Sequence, residues 1–171
     1  MTLASPDPRR EKLRERLDSA HAELAALLDA VLEDQARQAT SNPGWAVRDV
    51  VAHLAAAELG HQQVIRQLLA SQPTALPSFD LDAYNASEVA ARQGQSLAAL
   101  RAEFEANRQE TLALLESISP ADWDRAGYHP GGFDTTVEGT FRVIAIHEKR
   151  HAREIQAALA AQSGPRQGKH G

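Results

Sequence analysis

Phe141-Arg-Val-Ile-Ala-Ile-His147-Glu-Lys-Arg-His151-Ala-Arg-Glu-Ile155 contains neither glycine nor proline and consists mostly of helix-tolerant residues, so it reads as one helix. Positions four apart on a helix lie one above the other on the same face. His147 and His151 therefore project side by side, on the face that also carries Ile144, Ile155 and Ala158. Two imidazoles thus share a stripe where a helix ordinarily places core aliphatics. A buried histidine pair needs partners. One arrangement is a metal ion held by both rings and by a third ligand from elsewhere. The other is a pair of core side chains, each hydrogen-bonded to a carboxylate or a backbone carbonyl. With seven histidines in 171 residues, the spacing alone does not separate the two.

The whole chain bounds the answer. Its length suits one domain with a sizeable core. Alanine and leucine dominate and aromatics make up 5%, a composition that favours helix over sheet. A net charge of −5 with no lysine-arginine block argues against a nucleic-acid surface. No run of about twenty apolar residues is present to span a membrane. Residues 1–12 lack the apolar centre of a secretory signal, so the expected location is cytoplasmic. There is no cysteine, which excludes disulfides, thiolate ligands and a cysteine nucleophile. Any sulfur chemistry must use a thiol on a small molecule.

Outward from the quoted stretch, apolar periodicity predicts a first helix from about Pro8 to Arg37 through Leu13, Leu17, Leu24, Leu28 and Val31. Thr40 to Gly44 is a turn. A second helix runs from near Trp45 to about Ala70, with Ala46 at the N-cap position and Asp49 three residues on as the capping carboxylate. A linker with Pro73 and Pro77 leads to a shorter helix, Asp80 to Arg92. Ser96 caps a further helix from Leu97 to Ile118. Pro120 marks a brief helical start, and the glycine-rich stretch from Ala126 to Phe133 is expected as loop, with no convincing strand anywhere. Thr135 or Thr136 caps the last helix, which ends near Gln162. The expected fold is all-α, a four-helix bundle with one or two short extra helices. It forms a single domain over 1–162, followed by a disordered tail over 163–171 in which His170 is silent.

Three inward-facing histidines stand out: His53 on the second helix, and His147 and His151 on the last. Bundles build metal sites in this way, from side chains on facing helices. Three neutral imidazoles leave the ion its full charge and at least one open position, as in a catalytic or substrate-binding site. His61 lies about 80° around the helix from His53 and is a second-choice ligand, otherwise a structural or exposed residue. His21 is expected as a satisfied core or boundary side chain, and His129 falls in the loop with no role assigned. Asp49, Glu148 and Glu154 are near enough to orient rings. Glu148 reads rather as a surface charge. Arg142, Arg150 and Arg153 can hold a carboxylate or form a solvated basic face pairing with Glu148 and Glu154.

The run Trp45-Ala-Val-Arg-Asp-Val-Val-Ala-His53-Leu resembles the W-x-x-x-D-x-x-x-H-L signature of the DinB/YfiT-like superfamily, and His147-Glu-Lys-Arg-His151 resembles its closing H-x-x-x-H motif. The resemblance covers essentially the whole folded chain. It implies a bundle with a divalent metal ion held by His53, His147 and His151, and often a homodimer. Zinc is the default metal, with nickel, iron and manganese suited to the same ligands. Members include transferases and isomerases dependent on mycothiol, bacillithiol or glutathione, and hydrolase-like proteins. One departure is Ala46, where relatives often have serine or threonine. The ClbS-like branch shares the bundle without needing the metal.

The expected function is therefore that of a metal-dependent enzyme activating a low-molecular-weight thiol for S-transfer to an electrophilic small-molecule substrate. The alternatives are a metal-dependent hydrolase, a non-catalytic stress-related binder of the ClbS-like kind, and a scaffold dimer with structural histidines. No membrane or nucleic-acid partner is expected.

Overall fold

The computed structural model of the protein describes residues 7–74 and 78–162. Helix α1 (Pro8–Asp29) starts with proline in its first turn and with Asp7 as N-cap, whose carboxylate accepts the Arg9 amide at 3.0 Å. Leu13, Leu17, Leu24 and Leu28 are buried, as the period predicts. The helix ends at Asp29, short of the expected Arg37. Continuing it would set Glu33 and Asp34 at its negative pole. Asp34 instead accepts the Gln35 amide and begins a separate 3₁₀ turn, Gln35–Arg37.

An antiparallel bridge between Ala39 and Ala46 closes the expected turn, with Gly44 at φ +81°. Helix α2 (Val47–Leu69) follows, with Ala46 as its N-cap. The Ala46 side chain offers no bond to the helix, but Asp49 reaches back and accepts the Ala46 amide at 2.8 Å. Helix α3 (Leu81–Ala91) is short, and α4 (Leu97–Ser117) is capped by Ser96 Oγ, which accepts the Ala99 amide at 3.2 Å. A 3₁₀ turn, Pro120–Asp122, comes next.

The stretch expected as loop is an antiparallel hairpin, β1 (Ala126–His129) and β2 (Phe133–Thr136), in which His129 pairs with Phe133. Pro130, Gly131 and Gly132 form the connection, with Gly132 at φ +94° supplying the left-handed residue that such a loop needs. Each strand has four residues, too few for its alternation to show in the sequence. Helix α5 (Val137–Gln162) then begins, with Thr136 Oγ1 accepting the Gly139 amide at 3.0 Å. The tail over 163–171 lies outside the described residues.

α1 packs on α5, α5 on α2 and α2 on α4, while α4 touches α1 to complete the ring. Helices consecutive in the chain, α1 with α2 and α4 with α5, are thus not the principal neighbours. This order sets α2 and α5 face to face. One apolar cluster, including Val50, Leu54, Phe104 and Ile155, fills the end where α2 begins. Another, including Leu17, Ile65, Trp123 and Phe141, fills the opposite end.

Between the clusters lies a polar layer. Arg108 is 1% exposed and donates to Glu58 at 2.7 Å and to Glu148 at 2.8 Å, tying α4 to α2 and α5. Glu148, expected on the surface, is 1% exposed. The reason is that α5 buries two faces, one against α1 and one against α2. His21 is half-buried at the edge of this network, 2.5 Å from Glu105 and 3.4 Å from Glu148. The adjacent Glu148 carboxylate raises its pKa.

Candidate metal centre and its cavity

His147 and His151 meet through the local geometry of α5, and His53 joins them because α2 packs against α5. His53 Nε2 lies 3.0 Å from His147 Nε2, which lies 3.1 Å from His151 Nε2. The ligand atoms of the three all fall within 4.8 Å of one another. Nitrogens held 2.0–2.1 Å from a tetrahedral zinc ion stand ~3.3 Å apart, so the spacing suits one ion with little movement.

His151 Nδ1 is 2.8 Å from Glu154 Oε2. A neutral His151 donates its proton there and leaves Nε2 as the free lone pair, the orientation a ligand needs. Among the described residues His53 has no such partner, its Nδ1 being buried without a hydrogen bond, and the Trp45 ring packs against it at 5.1 Å. Burial pushes His53 down to about 3, the neighbouring His151 adding to the effect. Burial also holds His147 well below the ordinary histidine value. His151 is lowered by burial against the opposing pull of Glu154. All three are therefore neutral at pH 7 and able to bind a cation.

A cavity of about 1190 Å³ opens beside the triad. Val64, Phe79, Leu81, Tyr84, Val143 and Ile146 give it an apolar wall, while His53, His61, His129, His147 and Arg150 supply polar groups. His61 is 8% exposed, so it is not a surface residue, and its ring lies 5.5 Å from that of His147 and 5.4 Å from that of His129. It stands outside the triad, as its angle around α2 requires. Asp49 is held by the Ala46 amide and by Gln93 and belongs to the helix cap.

The arginine pairings differ from those expected. Glu148 is taken by Arg108, Glu154 faces His151, and Arg142 pairs with Glu138. Arg150 lines the cavity with Nη2 3.3 Å from His151 Nε2, and no ion pair holds it among the described residues. Two contributors escaped the sequence reading. Arg108 lies on the buried face of α4 between Phe104 and Thr111, and its spacing from them is the signal in the sequence. His129 was hidden by the missed hairpin. Gly131-Gly132 between Tyr128 and Phe133, each on a short polar-aromatic run, was the cue for it.

The family model described as the DinB superfamily matches residues 9–155. No curated protein matches the sequence. Among solved structures, the chain is similar to YfiT from Bacillus subtilis, described as a probable metal-dependent hydrolase with an unusual four-helix bundle topology. That likeness has a TM-score of 0.74 at 21% identity and covers 95% of this chain and 93% of YfiT. A mycothiol-dependent maleylpyruvate isomerase gives a TM-score of 0.71 at 17% identity over 84% of this chain, which spans 60% of the isomerase. The colibactin self-resistance protein ClbS, in complex with double-stranded DNA, gives 0.71 at 15% identity over 88% of this chain and 94% of ClbS. At these identities the likeness is one of fold.

Proposed function

Because the chain belongs to the DinB superfamily, we propose that His53, His147 and His151 hold a divalent metal ion, and that the protein is an enzyme transferring a small-molecule thiol to an electrophile. The observation that carries this is the convergence of three neutral imidazole nitrogens, 3.0 and 3.1 Å apart, beside a large and mostly apolar cavity that His53 and His147 line. Such an ion lowers the pKa of a thiol bound to it and so supplies a nucleophile near neutral pH.

The chain's own groups have separable tasks. Glu154 fixes the tautomer of His151, and Trp45 packs against the His53 ring. Arg150, free of an ion pair among the described residues, is placed to hold a carboxylate of the thiol or of its acceptor. Ligand pockets commonly measure about 300–1,000 Å³. At about 1190 Å³ this one lies above that range, which favours two reactants held together and so supports transfer over hydrolysis. The absence of cysteine supports a thiol brought in from outside. Zinc is the first candidate metal, and nickel, iron or manganese suit the ligands as well.

The same reading makes the protein a cytoplasmic homodimer acting on small molecules and not on nucleic acid. In support, the net charge is −5, and no helix among the described residues is long and apolar enough to cross a membrane.

The test is elemental analysis of untagged protein, followed by assays of thiol consumption. Mycothiol, bacillithiol and glutathione are each offered with 1-chloro-2,4-dinitrobenzene in the presence of each metal. Metal-dependent thiol loss, absent in His147→Ala, is expected. Protein without metal, showing no thermal shift with zinc, nickel, iron or manganese, rules out the centre. Metal-dependent cleavage of esters or amides without thiol loss makes it a hydrolase instead.

A further inference from the structure

β1 delivers His129 to the cavity wall, and the hairpin loop then returns against its ring. His129 stacks on Phe133 with centroids 4.5 Å apart and planes 10° from parallel. The Gly131 amide donates to His129 Nδ1 at 2.9 Å. A Cβ at Gly131 would lie 2.9 Å from that same nitrogen, so the approach depends on glycine. The ring is therefore clamped on its face and on one of its two nitrogens.

That clamp assigns the proton. A neutral imidazole accepting at Nδ1 carries its hydrogen on Nε2. Burial keeps the ring neutral, its pKa pushed down to about 4. His129 is 8% exposed, and its Nε2 is buried without any hydrogen-bond partner among the described residues. The neighbouring His61 ring, 5.4 Å away and tilted by 31°, gives it no acceptor. Unpaired buried donors are destabilising and rare, and this one belongs to a side chain that lines a large cavity.

We propose that His129 Nε2–H is the hydrogen-bond donor for a carbonyl oxygen on an otherwise apolar ligand, making the hairpin a second wall of the ligand site. The ligand class follows from the surroundings. His129, held neutral by burial, offers a single N–H and no charge to offset the desolvation of a carboxylate. A neutral carbonyl needs only one donor. Phe133 and Val64 provide apolar contact for the rest of the molecule. The inference rests on the cavity proposed above as the substrate site, but not on the metal.

The experiment uses the full-length protein, both as purified and after chelation. Long-range nitrogen-proton correlation spectra of the ¹⁵N-labelled protein identify the His129 tautomer. The Nε2–H form is expected, and an Nδ1–H form overturns the proposal. Acetophenone and α-methylstyrene are then titrated, the second having CH₂ where the first has the carbonyl oxygen. His129→Phe retains a ring to stack on Phe133 but has no donor. The affinity ratio of acetophenone to α-methylstyrene is expected to fall about fivefold or more in the variant, and an unchanged ratio overturns the proposal. Benzoate binding that depends on His129 more than acetophenone binding does also overturns it. If His129→Phe does not fold, Gly131→Ala displaces the ring and must weaken acetophenone binding; undiminished binding counts against the proposal. A carbonyl preference that survives chelation stands even if the metal reading fails. Loss of that preference leaves the metal reading intact.

Discussion

His53 Nε2 lies 3.0 Å from His147 Nε2 although ninety-four residues separate them in the chain. His147 and His151 would be neighbours on an isolated helix, so their proximity says nothing about the fold. The approach of His53 depends on α2 lying face to face with α5, and that makes it the more searching residue to change.

His53→Ala should weaken zinc binding by tens of fold or more and abolish thiol-dependent activity. His61→Ala should have a much smaller effect on zinc, since its ring stands outside the triad. Competition with a chromophoric chelator measures both. The reverse order of effects would mean that His61 is the third ligand. Loss of an ion that binds the native state alone should also lower the melting temperature of His53→Ala in zinc.

The buried Arg108 makes its bonds to Glu58 and Glu148 where almost no water reaches. Arg108→Met leaves two carboxylates buried without their cation, and a loss of about 3–5 kcal/mol is expected. Urea unfolding checks this. A loss under about 1 kcal/mol would show that the carboxylates find water or protons readily. His53 and His147 belong to other contacts, so metal stoichiometry at saturating zinc should survive in whatever fraction remains folded.

Ala46 is the N-cap of α2 but contributes no side-chain bond, while Asp49 holds the Ala46 amide at 2.8 Å. Ala46→Ser adds an acceptor for a free amide of the first turn and should stabilise the protein by roughly 0.5–2 kcal/mol. A melting temperature equal to or below that of the parent protein would contradict the cap geometry.

Acid should destabilise the chelated protein in a defined window. Burial lowers His53 to about 3 and His129 to about 4 from the ordinary 6.5, so the unfolded chain binds protons that the native state refuses. Their contribution is complete above about pH 6.5 and is lost progressively as the pH falls toward 4 and then 3. His21 has the opposite sign. Its pKa is raised in the fold, so its contribution is complete below 6.5 and disappears at higher pH. Melting temperatures between pH 7 and 4.5 should therefore decline, less steeply in His129→Phe. A rise on acidification would refute the assigned directions.

Much of this molecule could be read from local pattern. The 3.6-residue period of Leu13, Leu17, Leu24 and Leu28 identified the buried face of α1 directly. The capping carboxylate of Asp49 and the breakers around Gly44 marked the start of α2. His53, His147 and His151 could be singled out as candidate ligands because each lies on such a face, and the tryptophan-to-histidine run together with the closing histidine pair pointed to the family. These are properties of short segments, and backbone geometry imposes them wherever the segment sits.

What the tertiary structure decided are the properties that depend on which faces meet. Glu148 reads as a surface residue until α5 is seen to bury one face on α1 and another on α2, where Arg108 awaits it. His129 acquires a place only when two four-residue strands pair, and their pairing depends on cross-strand contacts rather than on any period within either strand. The ring order α1, α5, α2, α4 is likewise absent from every local signal. An amphipathic helix specifies that a face must be covered. Which neighbour covers it follows from the packing of the whole chain, because apolar burial is non-directional and many partners would satisfy one stripe.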